Sequence, residues 1–311
     1  MRVMVCVKQV IDVRVPLTVD RRTNAVTAPS TSPSLNRADL CALEAAMGLK
    51  KISPGIDVLA TSIGPADADR VLQYSLARGA DVAWRIWDEK VHPGDPYRIA
   101  QLMASAARIS GCSLLLCGMM SEDSGSAIVP ATVAQRLNWP WVNRVVSAKL
   151  SENGKGVETL QRGGKGGRLE IFCDLPAVLA FYPGLSGHQY VSSRRLRSAK
   201  NRPIQVYPLN QLGLEAQEIE GNPPPVKVVK VRQPKPRTKR TAIAFQQLSG
   251  EELMWQMMAS GGSSKKGDDN LVRGEPEKLA ERILSFLTEK GLFHPSKTSH
   301  QESHQEGSPK K

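Results

Sequence analysis

The stretch Leu114–Pro140, LLLCGMMSEDSGSAIVPATVAQRLNWP, decides how the chain is read. An apolar run closes on Cys117-Gly118, a loop of small and polar residues follows, and a helical pattern opens near Ile128. A strand that hands over to a helix through such a loop is the unit of a nucleotide-binding α/β sheet. The glycine fingerprint of the dinucleotide folds is absent, so the loop itself has to be weighed. From spacing alone an ordinary connecting loop is the simpler reading, because Ser, Gly and Asp are common in any loop.

Working outward, the same grammar recurs on the N-terminal side. Val3 to Val7 is a short β-branched run, and a polar arm returns from it to a helix that Asn36 or Ser34 can cap. Ala38, Cys41, Ala42, Ala45, Ala46 and Leu49 line one face of that helix. IDVLATSIGP is a second strand, a helix over 66–77 puts Val71, Leu72, Ser75 and Leu76 inward, and ADVAWRIW is a third strand. DPYRIAQLMASAARI is a capped helix leading into the fourth strand, CSLLLCG. Alternation in units of ~25–35 residues predicts a Rossmann-like parallel sheet covered by helices on both faces. After Trp139-Pro140 the pattern changes to NRVVSAKLS, GVETLQR, RLEIFCD and AVLAFY, with NGKG and GGKGG as turns. That predicts an antiparallel β extension of the sheet.

Composition narrows the function. The 311 residues are 41% hydrophobic, enough for a sizeable core, and carry a formal charge of +12 from 42 Lys+Arg against 30 Asp+Glu. Seven basic residues and no acid fall within 226–240, VKVVKVRQPKPRTKR. No aromatic interleaves them to stack bases, which makes nucleic acid a weak third candidate. The five cysteines lack CxxC spacing and read as buried hydrophobes of a reducing compartment. With no apolar run near ~20 residues and no signal-peptide pattern, a soluble, cytoplasmic protein without a membrane span is expected. The expected division is an α/β domain over 1–221, a basic linker and extended C-terminal arm with amphipathic helices over 222–292, and a disordered tail over 293–311. The arm's helices are expected at Glu251–Met258 and Pro276–Leu287.

No Ser-His-Asp, HExxH or Walker constellation is present, and His92 and His188 have no ligand-spaced partners. A binding module is therefore favoured over an enzyme. In an open α/β sheet its ligand belongs beyond the carboxyl ends of the strands, where residues 6–8, 62–65 and 118–130 converge. Helix N-termini there suit a phosphate, and Asn36 and Asp39 could reach an adenine or ribose.

The order of these pieces resembles the electron-transfer flavoprotein β subunit family. VMVCVKQVID resembles that family's first strand, LNRADLCALEAAMGLK its Asn-Pro-x-Asp/Cys helix, and SIGPADADRVLQYSLARGAD its Gly-Pro segment with the following helix. The opening stretch resembles its long nucleotide loop, with Asp123 at the acidic position. DLPAVLAF and SAKNRPI are similar to its Leu-Pro-Ala-Val strand and the run beyond. The resemblance implies an electron carrier subunit, not an enzyme, that pairs with an α subunit, shares one FAD with it and meets flavin dehydrogenases transiently. It implies an AMP in the β subunit, or a second FAD in the electron-bifurcating branch. Carried over by position, the nucleotide contacts are Cys6, Asn36, Arg37, Ala38, Asp39, Ile63, Met120, Ser121, Glu122, Asp123, Ser124, Gly125, Ser126, Ala127, Ile128, Val129, Pro130 and Ala131. Three departures stand out. Val129-Pro130-Ala131 replaces Thr-Gly-Gln or Val-Gly-Pro, removing one N–H, which favours AMP or an empty site over a second FAD. Arg37 stands where proline is frequent, and Ser193 where a leucine anchors the partner-docking loop. A stand-alone adenine-nucleotide-binding module of similar topology is the alternative.

Overall fold

The computed structural model describes residues 1–12, 17–20, 26–27, 33–91, 94–184, 190–214, 251 and 274–292. In chain order the elements begin with β1 (Arg2–Cys6), β2 (Gln9–Ile11), β3 (Thr18–Val19), β4 (Val26–Thr27) and β5 (Pro33–Leu35). Next come α1 (Arg37–Ile52), β6 (Asp57–Ile63), α2 (Asp69–Arg78), β7 (Val82–Ile86), α3 (Pro96–Ser110), β8 (Leu114–Gly118) and α4 (Val129–Leu137). Then follow β9 (Trp141–Leu150), β10 (Gly156–Arg162), β11 (Arg168–Asp174), β12 (Ala177–Phe181), α5 (Ser193–Lys200), β13 (Gln205–Tyr207) and α6 (Pro276–Glu289). The chain divides into two compact units, Met1–Lys235 and Pro236–Lys311. The expected linker over 222–240, the rest of the helix after Glu251 and the tail over 293–311 lie outside the described residues, as do His92 and His188.

The first unit is built on a nine-stranded sheet in the order β11-β10-β9-β12-β8-β1-β6-β7-β13. Strands β1, β6, β7, β8 and β12 are buried on both faces and run parallel to their neighbours, which is why they read as apolar runs without alternation. Alternate residues of one strand enter different cores. Val3, Val5 and Val7 face the side packed by α1 and α2 through Leu43, Ala46, Val71 and Leu72. Met4 and Cys6 face the side packed by α3 and α4 through Leu102, Ala106, Val133 and Ala134. From β1 the chain steps outward to β6 and β7, then returns to the other side of β1 with β8. The helices change face at that reversal, so the β1/β8 boundary is the topological switch point of the sheet.

Local signals account for the element ends. Asp95 caps α3, its carboxylate accepting from the amides of Tyr97 and Arg98, and Gly111 ends it in the left-handed region at φ 64°. Gly79 ends α2 at φ 121°. Residues 66–68 form a 3-10 turn ahead of α2, so the α-helix proper starts three residues later than its apolar pattern suggests.

The antiparallel extension is present in β9, β10 and β11. The fourth strand expected there, β12, does something different: it returns into the parallel core between β8 and β9, parallel to both. Its burial on both faces, from Ala177 to Phe181, is the physical reason. The polar arm, read without strands, holds two short antiparallel pairs, β2 with β5 and β3 with β4, and two later elements also escaped the sequence pattern. The expected docking loop is helical over Ser193–Lys200, capped by Ser192, and three-residue β13 adds to the edge at β7. In the second unit, α6 has an apolar stripe with Ile283, Leu284 and Phe286 exposed.

Candidate functional site

At the switch point the carboxyl ends of β1 and β8 lie side by side, and the N-terminus of α1 is held against both. Asp39 makes that junction. One carboxylate oxygen accepts from the Lys8 amide at 2.8 Å and the other from the Gly118 amide at 2.8 Å. The side chain is 6% exposed, and burial raises its pKa from 3.8 to about 6 against the lowering effect of those amides, Asn36 and Lys8. Gly118 is required here: a Cβ would stand 2.5 Å from Asp39 Oδ1 and 2.6 Å from Ala38 Cβ.

Asn36 precedes α1 but does not cap it with its side chain. Its amide nitrogen donates to the Met120 carbonyl at 3.1 Å and its oxygen accepts from the Glu122 amide at 3.2 Å, while its backbone amide donates to Lys8 O. The side chain is committed to the loop after β8, so the expected cap is replaced by a clamp. Asn36 and Asp39, offered from the sequence as adenine or ribose contacts, thus use these polar atoms on backbone. An Asn carries further hydrogen-bonding capacity beyond these two bonds.

Two ion pairs add to the clamp. Lys8 Nζ meets Asp123 Oδ1 at 2.8 Å, and the Arg37 guanidinium meets Glu122. Burial pushes the Asp123 carboxyl up, but the Lys8 ammonium, Ser121 and the Ser124 amide together hold it below the usual carboxylate range. Inside the loop Ser121 and Ser124 hydroxyls pair at 2.7 Å, and the Gly125 amide donates to Ser121 O at 3.0 Å. Gly125 and Ala127 both have left-handed backbone, φ 60° and 54°. For alanine that conformation carries a strain of ~1 kcal/mol.

Ile128 and Val129 lead into α4. Pro130 is the second helical residue and is buried, and the first intrahelical bond closes from Thr132 N to Ile128 O at 3.1 Å. The amides of Val129 and Ala131 therefore have no partner within the helix, and Pro130 removes the one between them. Ser126 and Ala131 are half-buried and Met120 is exposed. Ile63 ends β6 against the α3–α4 core. Cys6 is buried and burial drives its thiol well above its ordinary value, with Cys117 and Asp39 adding to the effect. Such a thiol is inert.

The structure thus brings Cys6, Asn36, Arg37, Ala38, Asp39 and the loop 120–131 to one sheet edge, with Ile63 at the end of the neighbouring strand. Two participants lie in the segments expected to converge here but not among the contacts carried over by the resemblance. Lys8 was visible as the polar residue ending the first strand; its pairing across 115 positions was not. Gly118 looked like a strand terminus, and nothing local signals that Asp39 packs on it. All five cysteines are free and buried, and among the described residues no cluster of three or more His, Cys, Asp or Glu could hold a metal. No described helix is long and apolar enough to cross a membrane. What the described residues bring together at this edge is a helix N-terminus, a loop held to it through backbone hydrogen bonds, and two ion pairs.

A loop tied to a helix N-terminus at the switch point lies where open α/β sheets bind their ligands. The family profile described as Electron transfer flavoprotein domain matches residues 25–211. The electron transfer flavoprotein subunit beta of Methylophilus methylotrophus is 31% identical over 187 residues, 60% of this chain and 70% of that protein. The caffeyl-CoA reductase-Etf complex subunit CarD of Acetobacterium woodii is 31% identical over 229 residues, 73% and 86% of the two chains. The subunit beta of Megasphaera elsdenii is 26% identical over 265 residues, 83% and 97%. The chain belongs to the electron-transfer flavoprotein β-subunit family.

Proposed function

We propose that this chain is the β half of a heterodimeric electron carrier, cytoplasmic and without bond chemistry of its own. An α subunit would hold most of one FAD and this chain would close the pocket, passing electrons from flavin dehydrogenases to a downstream acceptor. The flavin supplies the redox chemistry; the protein's part is to position it and exclude water. The observation that carries the reading is the loop 119–127 tied to the α1 N-terminus at the switch point, in a chain of this family. In that crevice we place an AMP, its phosphate at the α4 N-terminus, where two unpaired amides and the helix dipole favour an anion. The exposed apolar residues of α6 suit an arm that packs on the partner subunit. On this reading the chain divides into a nucleotide-binding domain over 1–221, a linker and arm over 222–292 and a tail over 293–311.

Co-expression with an electron-transfer flavoprotein α subunit tests the assignment. A yellow heterodimer with one flavin per pair is expected. A chain that stays alone and colourless but retains adenine nucleotide would instead be a stand-alone binding module, and two flavins per pair would replace AMP by a second FAD.

Pro130→Gly tests the phosphate position. The variant regains an amide aimed out of the first turn, and one hydrogen bond to a charged group is worth ~1.5–3 kcal/mol. Greater backbone freedom offsets part of that and lowers fold stability by about 1 kcal/mol. AMP retention through purification should therefore rise several-fold while the unfolding midpoint falls slightly. No nucleotide in either protein would mean that the loop is only a connector.

A further inference from the structure

Outside the switch point, the antiparallel extension gathers arginines where local energetics disfavour them. Arg162 at the end of β10 stands directly opposite Arg168 at the start of β11. On its other side the β9–β10 ladder ends with Gln161 opposite Val145, which leaves Arg162 and Arg144 as the next residues of the two strands. Like charges directly opposite in a sheet are destabilising. Arg144 is also one of only three non-glycine residues with left-handed backbone among the described residues, at φ 52°. It sits at an irregularity in the β9–β12 ladder, between Val142 and Val145, where Asn143 Oδ1 accepts from the Arg144 amide at 2.8 Å and the Asn143 carbonyl accepts from Gln161 Nε2. The Arg162 guanidinium lies over the Tyr182 ring, 4.4 Å from its centroid. All three arginines are exposed, and no ion pair reaches any of them among the described residues. The acid nearest along the strand, Glu170, shares the face of Arg168 one rung inward, opposite Leu160.

Strained backbone and repelling charges that persist together mark a surface whose compensation comes from outside the chain. We propose that the row Arg144–Arg162–Arg168 is the docking surface for a carboxylate-rich segment of a protein partner. Charge complementarity selects acid. The exposed Phe172 on the same face as Arg168, with Trp141 exposed at the start of β9, gives the aromatic and arginine mixture of a protein interface. Adjacent strands place the charges about 4.8 Å apart, the spacing at which carboxylates of an extended acidic segment can meet them in turn. The surface is separate from the nucleotide crevice and does not depend on its occupant.

The test uses the full chain and a fluorescein-labelled octaglutamate peptide, read by anisotropy at low salt. Arg144→Ser/Arg168→Ser should weaken binding at least tenfold, while Arg194→Ser/Arg197→Ser on exposed α5, removing the same charge, should change it less than twofold. Arg144→Gly should weaken binding about threefold and raise the thermal midpoint, since glycine tolerates φ 52°. Equal losses in the two double variants, or no loss in the first, would overturn the proposal. So would a lower midpoint in Arg144→Gly, or tighter binding of a 20-bp duplex or anionic lipid vesicles than of the peptide through the same arginines.

Discussion

Gly118→Ala should lower the thermal midpoint by roughly 6–12 °C, from a loss of about 3 kcal/mol in a unit of this size. The added methyl would meet Asp39 Oδ1 at 2.5 Å, Ala38 Cβ at 2.6 Å and the Ala38 carbonyl carbon at 2.9 Å. Two of these atoms belong to the first turn of α1 itself, so no side-chain rotation relieves the contact. The helix start must move away from β8, and overpacking of this kind costs ~1–3 kcal/mol before any lost hydrogen bond is added. That movement also draws the Asp39 carboxylate off the Lys8 and Gly118 amides. Calorimetry on the variant, with hydrogen exchange at Lys8 and Gly118, would measure both parts. A midpoint within 2 °C of the parent would show that α1 slides freely and that the junction is not rigid.

Asp39→Ala comes next, with an effect that depends on pH. Removing the carboxylate leaves two interior amides without acceptors, each worth ~1–3 kcal/mol. At neutral pH part of this is offset, because the parent keeps a charge in a site that penalises it. The folded-state pKa is raised from 3.8 to about 6. The folded chain therefore holds this proton more tightly than the unfolded one. Its stabilising contribution is full below about 3.8 and is lost as pH rises through about 6. The variant should be less stable than the parent by about 2 kcal/mol at pH 7.5, and the gap should widen as pH falls to 5. Chemical denaturation at both values distinguishes this from a carboxylate with an ordinary pKa, for which the gap would be flat over that range.

Much of the fold was legible because its signals are local. Strand runs such as Leu114–Gly118 and the Asp95 cap with Gly111 behind α3 need no tertiary information. What escaped depends on distance along the chain. β12 has the length and composition of a hairpin strand, and only its burial on both faces places it in the core. α5, SRRLRSAK, has almost no apolar residue to set a period, and β13 owes its existence to the open edge of β7. The structure brings the segments named by the rule about strand ends to one sheet edge, and it gives Asn36 and Asp39 backbone partners that nothing local in the sequence signals. Their amide and carboxylate groups are as suitable for a ligand as for backbone, and the choice rests on partners 79 to 86 residues away.

The insertion of β12 between β8 and β9 has a consequence for how the chain reaches its final state. β9 is made before β12 but has no place beside the core until β12 arrives, more than 30 residues later. During synthesis the β8 edge, with Leu114, Leu115 and Leu116 on it, waits open while the β9–β11 meander forms through nearest-neighbour pairing. Closing the sheet then joins two prefolded pieces through a single strand, a step of high sequence separation and correspondingly slow. Until it happens, an apolar parallel edge is available to the same edge of another nascent chain, an opening for aggregation that β12 closes.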